Sequence, residues 1–249
     1  MQNSEVLFRD KPIWQAIFSL VGPSILSVLV MAIYNMTDLF FINLLQDTAQ
    51  TAAVSVVSPV FTLASAGATV LGMGGCAAAA SSLGAGDKQD VRTVSSLCGW
   101  CAILVGAVLA MVLNLGCAPL LGILGANAEI QPHAAAYLRI LALGAPAMIL
   151  SVSAATLLRA DGAIRRGLVG NLAGSVTNIV LDPLFILVFG WGIAGAAAAT
   201  VLGNLVACAI YLDYILRRSQ ALSLSPADAL RRPARLGRVG RHDHAMDEI

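Results

Sequence analysis

The sequence predicts an all-α integral membrane protein with six transmembrane helices and both termini in the cytoplasm. Three observations carry this expectation. Of the 249 residues, 58% are hydrophobic and only 12% charged, where a soluble domain carries about 25% charge. Mean hydropathy is +0.81, and six apolar runs are each long enough to cross a bilayer. Fourteen of the 15 Lys and Arg residues, all but Arg139, fall on one side of the six spans. The positive-inside rule puts that side in the cytoplasm, and so strong a bias argues against a dual-topology protein.

The elements follow in order. Residues 1–11 form a polar cytoplasmic start, with Asp10 able to cap a helix and Pro12 suited to its first turn. Span one, Ile13 to Leu44, holds Gly22-Pro23, which predicts a kink. It also carries Tyr34, Asn35 and Asp38, whose spacing places them on one helix face. Span two, Ala52 to Ser82, is rich in Gly, Ala and Ser, a composition that lets helices approach closely. Leu83 to Asp90 reads as a polar turn. It is not a phosphate loop, because no strand precedes it and the Walker spacing is absent.

Span three runs from Thr93 to Leu115, and Gly116 to Gln131 reads as a loop. Span four, Pro132 to Leu158, carries Arg139, expected to snorkel to the interface. A basic loop from Arg159 to Arg166 leads to span five, Gly167 to Phe189, which contains Gly170 and Gly174 as a close-packing pair. Gly190-Trp191-Gly192 makes a tight turn with an interfacial Trp. Span six, Ile193 to Leu216, carries Thr200 and Asn204, and Asp213 pairs with Arg217 at its end. Residues 219–249 read as a basic, disordered cytoplasmic tail. Its Arg231 to Leu236 stretch could touch anionic lipid, and His242-Asp243-His244 is too sparse to assign a metal.

The five Cys are an odd number and lie in or beside apolar runs, so a disulfide framework is not expected. Cys98-Gly99-Trp100-Cys101 has the spacing of a redox pair but sits in a predicted membrane helix, where it reads as packing. No cleavable signal peptide is evident. No Ser-His set, metal-spaced His pair or HExxH motif occurs, and His133 stands alone at a span edge, so no enzyme activity is expected.

The chemistry concentrates in Thr177 to Ile186. An Asp inside a span costs roughly 2.5–3.5 kcal/mol on insertion scales. Asn178 and Asp182 are four apart and stack on one face. Pro183 has no N–H, which frees the carbonyl of Ile179. A carboxylate, an amide and a free carbonyl thus gather in one turn, an oxygen set suited to a small hard cation or a proton. The alternative is a proline-kinked helix whose Asp pairs with another helix. Asp38 is the second intramembrane carboxylate. If the two acids share a dry pocket, both cannot stay ionised cheaply, and the pair would take up H+ or Na+.

Five stretches in order resemble the multidrug and toxic compound extrusion (MATE) transporters. They are Tyr34 to Ile42, Leu83 to Asp87, Leu158 to Gly162, Asn178 to Ile186, and Gly192 to Thr200. The resemblance covers residue 12 to about residue 217. It implies that residues 12–218 are the N-terminal lobe of a twelve-helix transporter built from two six-helix lobes. It implies export of organic cations or amphipathic drugs against entry of Na+ or H+, from the inner membrane of a prokaryote. It places a cation site on Asp38, Asn178, Asp182 and Thr200, and Thr200 rests on the resemblance alone. Tyr34, Asn35 and Asn204 are assigned to the substrate cavity. No cofactor beyond the coupling ion and no nucleic-acid partner is expected.

Family members are about twice as long, and here the second lobe is missing. The expectations are therefore a half-transporter that pairs with itself or with a separate second lobe, or an inactive truncated fragment. A lipid-linked saccharide flippase of the same architecture is a further alternative. Flippases favour cationic cavities, whereas these spans hold almost no positive charge.

Overall fold

The computed structural model describes residues 13–219 and 221–230. Eight helices follow one another and no strand occurs among these residues. They are α1 (Ile13–Leu44), α2 (Thr48–Gly84), α3 (Lys88–Leu115), α4 (Cys117–Ile123), α5 (Gln131–Ala160), α6 (Ile164–Pro183), α7 (Ile193–Arg217) and α8 (Pro226–Leu230). A π-helical turn, Leu184–Val188, continues α6. Helices α2, α3, α5, α7 and α6 with its π-helical turn are long and apolar enough to span a membrane, and α1 adds a shorter apolar stretch, Val28–Leu44. The predicted caps at Asp10 and Pro12, and the Arg- and His-rich residues 231–249, lie outside the described residues.

Helix α5 is the hub. It packs against α2, α3 and α7, while α6 pairs with α7 and α1 leans mainly on α6. Small residues permit these approaches. A Cβ at Gly174 of α6 would stand 2.7 Å from the Gly203 carbonyl oxygen of α7, and one at Gly106 of α3 would meet the Pro146 backbone of α5. Pro59 lies inside α2 and the helix continues through it. The core divides along the membrane normal. Ile42, Val57, Leu121, Leu138, Ile186 and Ile193 fill the end away from the basic loops. Val91, Leu157, Leu158, Tyr211 and Ile215 fill the basic end.

Turn chemistry sets the helix ends. Gly86 takes a left-handed φ of 74°, and Asp87 then caps α3 by accepting from the Asp90 N–H at 3.0 Å. At the opposite end Asp47 caps α2, accepting from the N–H groups of Ala49 and Gln50. The Gln50 side chain donates to Asp47 at 2.9 Å and accepts from the Ile193 N–H at 3.0 Å, which ties α2 to the start of α7. These bonds, with the Gln50 amide first, hold the Asp47 carboxyl below its usual range. Gly190 and Gly192 both take positive φ in the expected turn, and Gly192 leaves the space that Gln50 occupies.

The structure departs from the sequence reading in two places. The Gly116–Gln131 loop contains a helix, α4, whose Cys117 and Leu121 are buried in the core. Pro119 falls in its first turn, where a missing N–H costs nothing. The disordered-tail reading of residues 219–249 needs correcting over 221–230, while 231–249 lie outside the described residues. Residues 221–230 dock on the basic end of the bundle, with Leu222 only 3% exposed. The expected Asp213–Arg217 pair forms at 3.2 Å, Arg139 is exposed, and Cys98 packs against Gly75.

The Gly174–Gly203 approach yields a first prediction. Gly174→Leu overpacks the α6–α7 contact and lowers the thermal unfolding midpoint of purified protein, at a cost of about 1–3 kcal/mol. Gly67→Ala, where a Cβ meets nothing within 4 Å, leaves the midpoint level or raises it.

Candidate functional site: a buried carboxylate between α1, α6 and α7

The glycine approach brings the polar rows of α6 and α7 together. Gly174 stands one turn before Asn178, and Gly203 packs against the Asn178 Cβ. Asn178, Asp182 and Thr200 are all buried, and Asp182 is 0% exposed. The Asn178 amide satisfies both its ends in one orientation. Its N–H then donates to Asp182 Oδ2 at 2.9 Å, and its oxygen accepts from the Thr200 N–H at 3.1 Å and the Thr200 hydroxyl at 3.2 Å. That orientation follows from the hydrogen-bond network, as amide assignments do.

One carboxylate oxygen is therefore accounted for and the other is not. Asp182 Oδ1 is buried with no hydrogen-bond partner, and so is Asp38 Oδ1 on α1. Unmet buried polar atoms are costly and seldom left without a purpose. Asp38 and Asp182 lie within electrostatic reach of each other. Tyr34 lies near both acids and Thr200, and Tyr137 of α5 lies near both acids and Tyr34.

Pro183 directly follows Asp182. Beyond it the backbone leaves the α-helical register: the Leu184 N–H reaches back only to Leu181, and the Phe189 N–H reaches to Leu184 at 2.9 Å. π-Helical turns of this kind are frequent at functional sites. Phe185, Phe189 and Trp191 then stack on one another, with ring centroids 5.1–5.8 Å apart. Ile186 is buried beneath them.

Of the four residues assigned to the cation site, the structure brings Asn178, Asp182 and Thr200 into hydrogen-bond contact and sets Asp38 within electrostatic reach of Asp182. Of the residues assigned to the substrate cavity, Tyr34 lies beside the acids. Asn35 is exposed, and Asn204 donates to the Thr200 carbonyl of its own helix at 2.9 Å. Tyr137 was missed, because a lone Tyr in an apolar helix reads as core. Its spacing of four from His133 and Leu141 gives no sign that its face meets two carboxylates. An apolar pocket between α2, α3 and α5 is lined by residues such as Val57, Phe61 and Leu109; neither acid lines it.

Comparison with known proteins identifies the family. The MatE family matches residues 23–184, and the chain belongs to that family of membrane transporters. It is 29% identical over 226 residues to the multidrug export protein MepA of Staphylococcus aureus and 28% identical to that of Staphylococcus saprophyticus. Each match covers 90% of this chain and 50% of the relative. A MOP superfamily transporter from Pyrococcus furiosus, described as having a binding pocket of reversed polarity, superposes with a TM-score of 0.84 at 28% identity. That match covers 94% of this chain and 52% of the other. The chain therefore spans about half the length of the relatives it matches. It is a multi-pass protein of a bacterial plasma membrane, and its family carries out transport rather than catalysis.

Asn178 donates the one hydrogen bond that reaches Asp182 among the described residues, and this gives a second prediction. Asn178→Leu leaves the buried carboxylate without its donor and destabilises the lobe by about 1–3 kcal/mol. Thr200→Val, which leaves the Asn178–Asp182 bond in place, costs less. Thermal unfolding of the two purified variants checks the order.

Proposed function

We propose that this chain is the cation-binding lobe of a multidrug antiporter, with its basic end in the cytoplasm. The observation that carries the reading is a pair of carboxylates on different helices, each with one buried oxygen lacking a partner. The coupling ion is H+ or Na+. A proton on either acid, or Na+ between them, relieves the charge that two nearby carboxylates cannot both hold cheaply in a low dielectric. Asn178 and Thr200 supply further oxygens, and the Ile179 carbonyl, deprived of its donor by Pro183, is suited to complete the set.

The exported compound is an organic cation or amphipathic drug. Tyr34, Asn35 and Asn204 are the candidates to face it. Ion uptake draws α1 and α6 together or bends one of them, which loosens the hold on drug. The half-length match favours a partner. Alternating access moves one repeat against another around a central site, so the lobe works with a second lobe, whether a separate half or another copy. The same observation supports a second reading, in which the lobe alone is inactive.

Efflux of a fluorescent dye cation, driven by an imposed Na+ or H+ gradient, tests both readings. In cells making this chain together with a second lobe, Asp182→Asn abolishes gradient-driven efflux while the protein still inserts to wild-type levels. Full-rate efflux by that variant overturns the site assignment. Efflux by the wild-type chain alone overturns the inactive reading.

A further inference from the structure

Residues beyond α7 lie apart from the candidate cation site, yet they make a concentrated set of polar contacts. Ser219 donates to Asp161 of the α5–α6 turn at 2.9 Å, as Tyr214 does. The Ser219 hydroxyl in turn accepts from the Leu222 N–H at 2.9 Å. Ser95 of α3 bonds Ser223 twice, accepting from its N–H and donating to its carbonyl. Ser96 donates to the Ser225 carbonyl at 2.6 Å, and Trp100 donates to the Leu224 carbonyl at 3.2 Å. Ser223 also donates to Asp228 at 2.7 Å, and Arg92 lies 3.8 Å from the same carboxylate.

Apolar contacts match the polar ones. Leu222 closes a gap lined by Ala79 and Leu83 of α2, Val91 of α3, Ala160 of α5 and Asp161 of the α5–α6 turn. The Leu224 side chain fills the space that a Cβ at Gly99 would need. Ala221 and Leu222 join the core cluster of the basic end. One short segment thereby touches α2, α3, the α5–α6 turn and α7. None of these partners lies on α1.

We propose that Ser219 with residues 221–230 is a detachable strap that clamps the basic ends of α2, α3, α5 and α7 into one rigid block, with none of its described contacts on α1. A short segment with one helical turn, held by side-chain hydroxyls and two leucines, has a lower opening free energy than the long helices it binds. It can therefore release as a unit while the bundle stays folded.

The test uses the purified full chain. Trypsin cleavage after Arg218 reads strap release, because the Ser219 N–H is held by the Tyr214 carbonyl and its hydroxyl by Asp161. Deuterium uptake at residues 88–100 and 158–163 reads the clamping. Two variants act from opposite sides: Leu222→Gln with Leu224→Gln changes the strap and leaves α3 intact, and Gly99→Leu fills the Leu224 site from α3. Both are expected to speed the Arg218 cut about tenfold, the shift that roughly 1.4 kcal/mol of lost binding produces. The strap variant also raises uptake in both reporter segments and leaves α1 unchanged. Wild-type protein cut after Arg218 as fast as the variants overturns the strap. Faster cutting with unchanged uptake in α3 and the α5–α6 turn overturns the clamp.

Discussion

The bond between the Asn178 amide and the Asp182 carboxylate is the constraint on which the rest of the lobe depends. A carboxylate at 0% exposure inside a bundle is tolerable only if its charge is met or removed. Asn178 meets one oxygen, and its own carbonyl end is held by Thr200 of the neighbouring helix. For that chain of bonds to close, α6 and α7 must approach to backbone contact. Gly174 and Gly203 allow this, each leaving a space that the other backbone occupies. The small residues are thus not merely close-packing devices. They set the distance at which an amide can serve two helices at once.

The same turn that fixes Asp182 also loosens the chain after it. Pro183 removes one rung of the helix ladder, and the backbone answers with a π-helical turn. Ile186 is buried at 1% exposure and Phe185, Phe189 and Trp191 stack on one another, so packing supplements the longer-range backbone bonds of the π-helical turn. A helix end of this kind can shift register at low cost while its side chains stay in contact. The acid whose second oxygen has no partner stands immediately before it.

Much of this was legible in the sequence, for identifiable reasons. An amide and an acid four residues apart, beside a proline in an apolar run, are costly to insert, so Asn178 and Asp182 stood out. Asp38 stood out as a charge inside a span. Thr200 did not, since a membrane Thr ordinarily bonds its own helix, and only the family resemblance pointed to it. Tyr137 could not be found, because its face is defined by helices far away in the chain. The strap was illegible for the same reason at longer range. Leu222 and Leu224 look like two stray apolar residues in a Ser-rich tail until Ser95 is seen to bond Ser223 between them, 128 residues later. Helix α4 was hidden by its length: seven residues between Gly116 and Leu124 are too short for a periodic signal.

The distribution of fastenings explains which helix carries the second acid. At one end Gln50 joins α2 to α7 through Asp47 and the Ile193 N–H. At the basic end the strap joins α2, α3, the α5–α6 turn and α7. Neither fastening includes α1. That helix leans chiefly on α6, and its outer face carries Val28, Met36 and Phe40 at 68%, 74% and 61% exposure. Asp38 is therefore mounted on the element least restrained by the remainder of the lobe, and Asp182 on the element it touches. In the proposed mechanism a proton or ion shared by the two acids would act at that single interface, and its free energy of uptake would be delivered to α1 against a block tied at both ends.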